Sequence, residues 1–317
     1  MGTIQIRIHP QGKVVQARRD SPLKDALHEY GVEFPCGGKG TCGKCAVRIL
    51  DGGIEPDNQH KNRLQELQLG PEWRLACQTS CESDMVVEVG QFETIIQADE
   101  TTFDFDPGSG LGIAVDLGTT TLVAQLVDLE MGHILAVETG LNPQKKYGSD
   151  LISRLETALS DGPEKLTEMI RTRIGEMVAA LCAGRTGELT RIVIVGNTVM
   201  QHFFCGSDIK ALSFYPFESP DLGLMCLSNH ELGWRVHCEE ISFYPSIGSF
   251  VGSDILAGIE ATGMHRREDQ SVLIDLGTNG EIAIGNKDGL LCASTAAGPA
   301  FEGARISMGM MATTGAI

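Results

Sequence analysis

At 317 residues the chain has room for two or three domains with buried cores. Hydrophobic residues make up 42% and charged residues 21%, an ordinary globular balance that excludes a disordered chain. The formal charge of −17 excludes nucleic acid and anionic membrane surfaces as partners.

That charge is uneven. Residues 1–95 hold 11 Lys+Arg against 13 Asp+Glu, so nearly all of the excess lies downstream, where it serves solubility or a basic partner. No stretch reaches the roughly 18 consecutive apolar residues of a membrane span, and the N-terminus alternates like a strand without a signal-peptide core. The expected location is cytoplasmic. Ten cysteines in such a protein point to metal or redox use rather than disulfides.

In chain order, Ile4, Ile6 and Ile8 alternate in a first strand, and Gly12-Lys13 turns into a second over Val14–Ala17. A short helix is expected from Pro22, with Ser21 as its N-cap. Then comes Cys36-Gly-Gly-Lys-Gly-Thr-Cys42-Gly-Lys-Cys45, with 31 residues between Cys45 and Cys77. Thiolates are the soft ligands an iron–sulfur cluster needs, and two tetrahedral irons take four of them. A loop that brings three ligands around one rhomb must pass close to the inorganic sulfides. Gly37, Gly38, Gly40 and Gly43 permit that approach. The C-x5-C-x2-C…C spacing therefore predicts a [2Fe–2S] cluster on Cys36, Cys42, Cys45 and Cys77.

Rival readings of the same segment are weaker. Gly38-x-Gly40-x-x-Gly43 lacks the strand-to-helix setting of a dinucleotide loop, and Cys45 replaces the Ser/Thr of a phosphate-binding P-loop. A structural zinc site would show two C-x2-C pairs, and there is one. Cys81 is expected to be a free thiol, and the remaining cysteines show no spacing for a second cluster. Strands at Ala46–Leu50 and Met85–Val89 complete the expected sheet, and an acidic, glycine-ended linker follows over 95–110.

The second half contains a repeat. Ile113-Ala-Val-Asp116-Leu-Gly118-Thr119-Thr120 and Leu273-Ile-Asp275-Leu-Gly277-Thr278-Asn279 are each an apolar strand, a turn and a second alternating strand, offset by 159 residues. Each turn offers backbone N–H groups to a phosphate oxygen, and each aspartate can hold Mg²⁺ through its water shell. Two opposed copies predict a phosphate clamp. Between them, helix is expected over Gly148–Ala183 with a break at Asp161-Gly162-Pro163, a buried strand over Arg191–Val195, a helix from Thr198 with His202 packed in its core, and another over Ser253–Gly263.

The combination resembles the reductive activators of corrinoid enzymes. The likeness extends to Val195-Gly-Asn-Thr-Val-Met200, Gly248-Ser-Phe-Val-Gly-Ser-Asp254, Asp275–Glu281 and Ser294–Ala304. It implies an α+β, β-grasp ferredoxin domain (1–94), the linker (95–110), and an α/β actin-like, ribonuclease-H-like body with a first lobe (111–245) and an incomplete second lobe (246–317). It also implies an ATP-linked electron-transfer enzyme, an oxidoreductase that returns inactive Co(II) in a corrinoid protein to Co(I). Asp116, Gly118, Thr119, Thr120, Asp275, Gly277, Thr278 and Asn279 would face ATP and Mg²⁺. The expected partners are the corrinoid protein and an upstream electron donor. Members of the family are about twice as long, so the resemblance implies that the chain stops at Ile317 inside a strand. Two alternatives remain open. One is a ferredoxin module with a docking body that does not hydrolyse nucleotide. The other is a small-molecule kinase with a redox-sensing domain.

Overall fold

A computed structural model describes residues 2–9, 12–28, 30, 32, 34, 36–53, 55–89, 105–148, 150–185, 187–219, 221–277 and 279–295. Most of the expected linker, Thr278, the 296–304 part of the family-like stretch and the strand expected at the end lie outside the described residues. Among those described, two compact units form. One takes the residues up to 89 with Pro143–Arg154, and the other takes 105–142 and 155–295.

The first unit is a five-stranded mixed sheet. β1 (Thr3–His9) buries Ile4, Ile6 and Ile8 on one face while its odd-numbered residues face water. It pairs antiparallel with β2 (Lys13–Arg18). α1 (Leu23–Leu27) seats Leu23, Ala26 and Leu27 in the same core. Pro22 rather than Ser21 is its N-cap, because the Ser21 hydroxyl donates instead to the Arg18 carbonyl at 2.7 Å. β3 (Ala46–Gly52) leaves the cysteine loop, α2 (Asn58–Glu66) crosses over, and β4 (Trp73–Leu75) leads into the turn that carries Cys77. β5 (Met85–Glu88) inserts between β1 and β3, parallel to β1, giving the order β2-β1-β5-β3-β4. A central parallel pair with a helix packed on the sheet is the β-grasp arrangement.

The second unit opens with the meander β6 (Leu111–Leu117), β7 (Thr121–Asp128) and β8 (His133–Leu141). α3 (Leu151–Asp161) ends where expected, at Gly162, whose φ of +90° favours glycine. α4 (Glu164–Cys182) follows and buries Leu166, Ile170, Ile174, Met177, Val178 and Leu181, one stripe at helical spacing. β9 (Leu189–Val195) pairs parallel with β6, and α5 (Thr198–Cys205) starts directly after it. α6 (Lys210–Ser213), β10 (Met225–Leu227), α7 (Asn229–Leu232) and β11 (Glu240–Phe243) complete the sheet in the order β10-β11-β9-β6-β7-β8. An antiparallel meander continued by parallel strands is the ribonuclease-H-like topology. Buried His202 on α5 bonds the Asp208 carbonyl through Nδ1 and the Ser219 hydroxyl through Nε2, both at 2.7 Å, so it is a packed core histidine as expected.

α8 (Ser253–Thr262) then lies against a second meander, β12 (Ser271–Leu276), β13 (Gly280–Asn286) and β14 (Gly289–Thr295). Leu273, Ala283, Leu290 and Cys292 pack with Ile255 and Ile259 of the helix. Val272, Ile274, Ile282, Ile284 and Leu291 on the alternate positions are exposed. Among the described residues no helix is long and apolar enough to cross a membrane.

Candidate functional site

The cysteine loop has no regular structure of its own and is held by short-range turns. Gly37 N–H donates to Phe34 O, Lys39 N–H to Cys36 O, and Ala46 N–H to Gly43 O. Gly37, Gly38, Gly40 and Gly43 all have φ between 65° and 84°, which is why the wrap needs glycine. The thiols fall into two pairs. Cys45 Sγ and Cys77 Sγ stand 3.2 Å apart, and the Cys42 thiol is near enough to Cys36 to favour its thiolate.

In each pair one sulfur is biased towards thiolate and the other keeps the proton. Cys36 is drawn down to about 3 by the Cys42 thiol against the effect of burial, helped by the Cys42 and Thr41 N–H groups. Cys77 is lowered first by the Cys45 thiol, with the Gly40 N–H and Gln78 adding to it. Cys42 and Cys45, as donors, are pushed up. Cys81 is fully buried and its thiol is raised by that burial, as a structural cysteine should be.

The second constellation lies in the other unit. Asp116 and Asp275 are the penultimate residues of β6 and β12; Asp254 lies in the first turn of α8 and Glu281 is the second residue of β13. Water reaches the Asp116 side chain, yet the protein crowds it from beneath. That desolvation, with Asp254 and Asp275 nearby, lifts its carboxyl to about 6. Asp254 is lifted to about 6 by burial and by Asp275. Glu281, only 6% exposed, is lifted to about 7 by burial and then by Asp254 and Asp275. Asp116, Asp254 and Glu281 are thus raised in a shared acidic neighbourhood, although among the described residues no group of three or more His, Cys, Asp or Glu stands close enough to ligate a metal ion directly.

Backbone fit fixes the geometry around them. Asn142 Nδ2 donates to Gly118 O at 2.9 Å and Asn142 N–H to Thr120 O at 2.8 Å, pinning the β6–β7 turn from outside. Asn197 caps α5 by accepting from Met200 N–H and donates to the buried Thr119 hydroxyl at 3.0 Å. Ser253 and Gly196 exchange hydrogen bonds that tie α8 to β9. A Cβ on Gly252 would stand 2.2 Å from Gly196 O and 2.3 Å from Asn197 Cα. Gly252→Ala should therefore lower the urea midpoint by the equivalent of about 1–3 kcal/mol. Gly248→Ala, where a Cβ meets nothing within 4 Å, should leave that midpoint unchanged.

Residues 111–267 match the family model described as the RACo middle region, and residues 269–317 match the C-terminal domain of RACo, the ASKHA domain. Residues 6–82 match the 2Fe-2S iron–sulfur cluster binding domain. The chain belongs to the family of reductive activators of corrinoid proteins. Over 213 residues it is 38% identical to the corrinoid activation enzyme RamQ of Eubacterium limosum, covering 65% of this chain and 35% of that one. It is 32% identical over 220 residues to the [Co(II) methylated amine-specific corrinoid protein] reductase of Methanosarcina barkeri, covering 65% and 40%. A solved structure titled as a reductive activator for corrinoid, iron-sulfur protein superposes with a TM-score of 0.59 at 27% identity, covering 97% of this chain and 65% of that one. The chain thus spans 35–40% of the length of these two curated relatives.

In this member of the family, then, the first unit is a 2Fe–2S ferredoxin domain, and the thiols present fit that cofactor. A two-iron rhomb takes two thiolates per iron, and Cys45 Sγ and Cys77 Sγ already stand 3.2 Å apart. Of the residues expected to face nucleotide, Asp275 acts electrostatically on Asp116, whereas Thr119 is turned inward to Asn197. Gly277 N–H donates to Asn279 O at 3.0 Å. Asp254 and Glu281 were not among the expected site residues, although both lie in family-like stretches. Their signal was an acidic side chain at a helix start after glycines, and one two residues beyond the second turn.

The strain at Glu281 is measurable. Its folded-state value near 7 lies above the ordinary 4.5, so the ionised carboxylate opposes folding above pH 7 and ceases to do so as pH falls through 7 towards 4.5. Glu281→Gln should stabilise the cation-free protein at pH 8 by on the order of 2–3 kcal/mol, with the gain gone by pH 5 in urea titrations.

Proposed function

We propose that this chain delivers single electrons to a corrinoid protein, reducing its inactive Co(II) to Co(I), and that ATP hydrolysis is linked to that delivery. The observation that carries the reading is the presence in one chain of ferredoxin thiols and of carboxyls that raise one another at two like hairpins. The domain plan follows: ferredoxin over 1–94, linker over 95–110, first lobe over 111–245 and the start of a second lobe over 246–317.

Cys36 and Cys42 would hold one iron, and Cys45 and Cys77 the other; the bound cluster supplies one-electron chemistry. Loop N–H groups donate to the sulfurs and favour the negative charge that arrives with the electron. Asp116, Asp254, Asp275 and Glu281 would hold Mg²⁺ through its water shell. Gly118, Thr119, Thr120, Gly277, Thr278 and Asn279 would offer the turns that meet phosphate. Co(I) is the harder state to reach, so hydrolysis must drive a conformational step that differs between partner-bound and free protein.

The test is anaerobic mixing of the reduced protein with a Co(II) corrinoid protein and MgATP, following Co(I) by absorbance. Co(I) should form with wild type and fail to form with Asp116→Ala or Asp275→Ala. Equal Co(I) formation by those variants without nucleotide would remove ATP from the account.

A further inference from the structure

Arg63 sits in the last turn of α2 and reaches back over the cysteine loop. Its Nε donates to Gly40 O at 3.2 Å, one Nη donates to Thr41 O, and the other pairs with Glu66 at 2.6 Å. The helix is fixed from three further sides. Asp57 caps it through His60 N–H at 2.8 Å, and His60 Nε2 accepts from Leu75 N–H at 3.0 Å, two residues before Cys77. Leu67, just past the helix, fills the space a Cβ on Gly43 would take. The guanidinium is thus a rigid fork on a positioned element rather than a free surface charge.

What it grips matters. In a trans peptide the C=O and the following N–H point in opposite directions. Holding Gly40 O outward turns the Thr41 N–H inward, and holding Thr41 O outward turns the Cys42 N–H inward. Both N–H groups then point away from the guanidinium, and both favour the thiolate form of Cys36. One side chain therefore aims both peptide dipoles at one sulfur and withdraws both carbonyl oxygens from it.

We propose that Arg63 is a positioning residue that raises the reduction potential of the cluster by aiming the Thr41 and Cys42 N–H groups at the Cys36 sulfur. The proposal rests on the assignment of Cys36 as a cluster ligand. Donors to a ligating sulfur stabilise the extra electron, so losing their aim makes reduction harder.

The experiment is an EPR-monitored redox titration of the full chain with its cluster assembled, comparing wild type, Arg63→Gln and Arg63→Lys at equal iron content. At a fixed poise, Arg63→Gln should lower the ratio of reduced to oxidised cluster about tenfold, which is about 59 mV for one electron. Arg63→Lys keeps the charge but not the planar fork, so it should shift nearly as far. Unshifted potentials in both variants would overturn the proposal. A lysine variant matching wild type while glutamine shifts would also overturn it, since charge alone would then be acting. Failure of both variants to assemble a cluster would make Arg63 an assembly residue and likewise overturn it. A wild-type protein with no [2Fe–2S] signal would instead strike the ligand assignment itself.

Discussion

Replacing Cys45 by alanine should abolish the [2Fe–2S] visible absorption and lower electron transfer by at least about 100-fold. Cys45 is 1% exposed and its sulfur lies 3.2 Å from that of Cys77. Alanine supplies no donor, and one iron would keep a single thiolate. The same loss is expected for Cys36→Ala, Cys42→Ala and Cys77→Ala. Cys81→Ala is the control. Its sulfur is packed in the ferredoxin core beside Ser21, so the variant should lose some stability but keep the absorption. Loss of the spectrum in Cys81→Ala with retention in Cys77→Ala would exchange their roles.

The second large effect is expected at Asp254. Asp254→Asn should reduce ATP hydrolysis by about two to three orders of magnitude while changing the KM for ATP only several-fold. The carboxylate stands at the start of α8 and acts electrostatically on Glu281 and Asp116, so it belongs to the centre of the cluster. Asparagine preserves its shape and its acceptor for the Ile255 N–H, 2.9 Å away, but not its charge. The pH dependence follows from the same groups. Asp116 and Asp254 near 6 and Glu281 near 7 must lose protons to hold a cation. Wild-type hydrolysis should therefore fall as pH drops through about 7 to 6, and the fall should move to lower pH as Mg²⁺ is raised. A rate flat from pH 8 to 5 at low Mg²⁺ would contradict this assignment.

How much of this could be read from the chain depends on how local each signal is. The cysteine spacing, the loop glycines and the alternating Ile4, Ile6 and Ile8 are short-range patterns, and the structure shows the loop and sheet they imply. The break at Gly162-Pro163 was equally plain, because glycine and proline punctuate helices by their own backbone chemistry. Ser21 was misread as a helix cap because its hydroxyl has two possible backbone partners, and the Arg18 carbonyl takes it. Asp254 and Glu281 escaped the site assignment for a different reason. Nothing near them in sequence says that α8 and β13 will converge on Asp116; only Gly252 packed on Gly196 and the Ser253 bonds to the same residue bring them there. The grip of Arg63 on Gly40 and Thr41 likewise spans more than 20 residues and leaves no periodic trace.

An electron should leave the ferredoxin domain for cobalt only when nucleotide is turned over. Stopped-flow absorbance can follow the reduced cluster and Co(I) together after anaerobic mixing with a Co(II) corrinoid protein. With MgATP, cluster oxidation and Co(I) formation should rise in step, one electron for one cobalt, and without ATP neither should proceed. Co(I) appearing at the same rate with and without ATP, or a cluster that oxidises while cobalt stays Co(II), would contradict it.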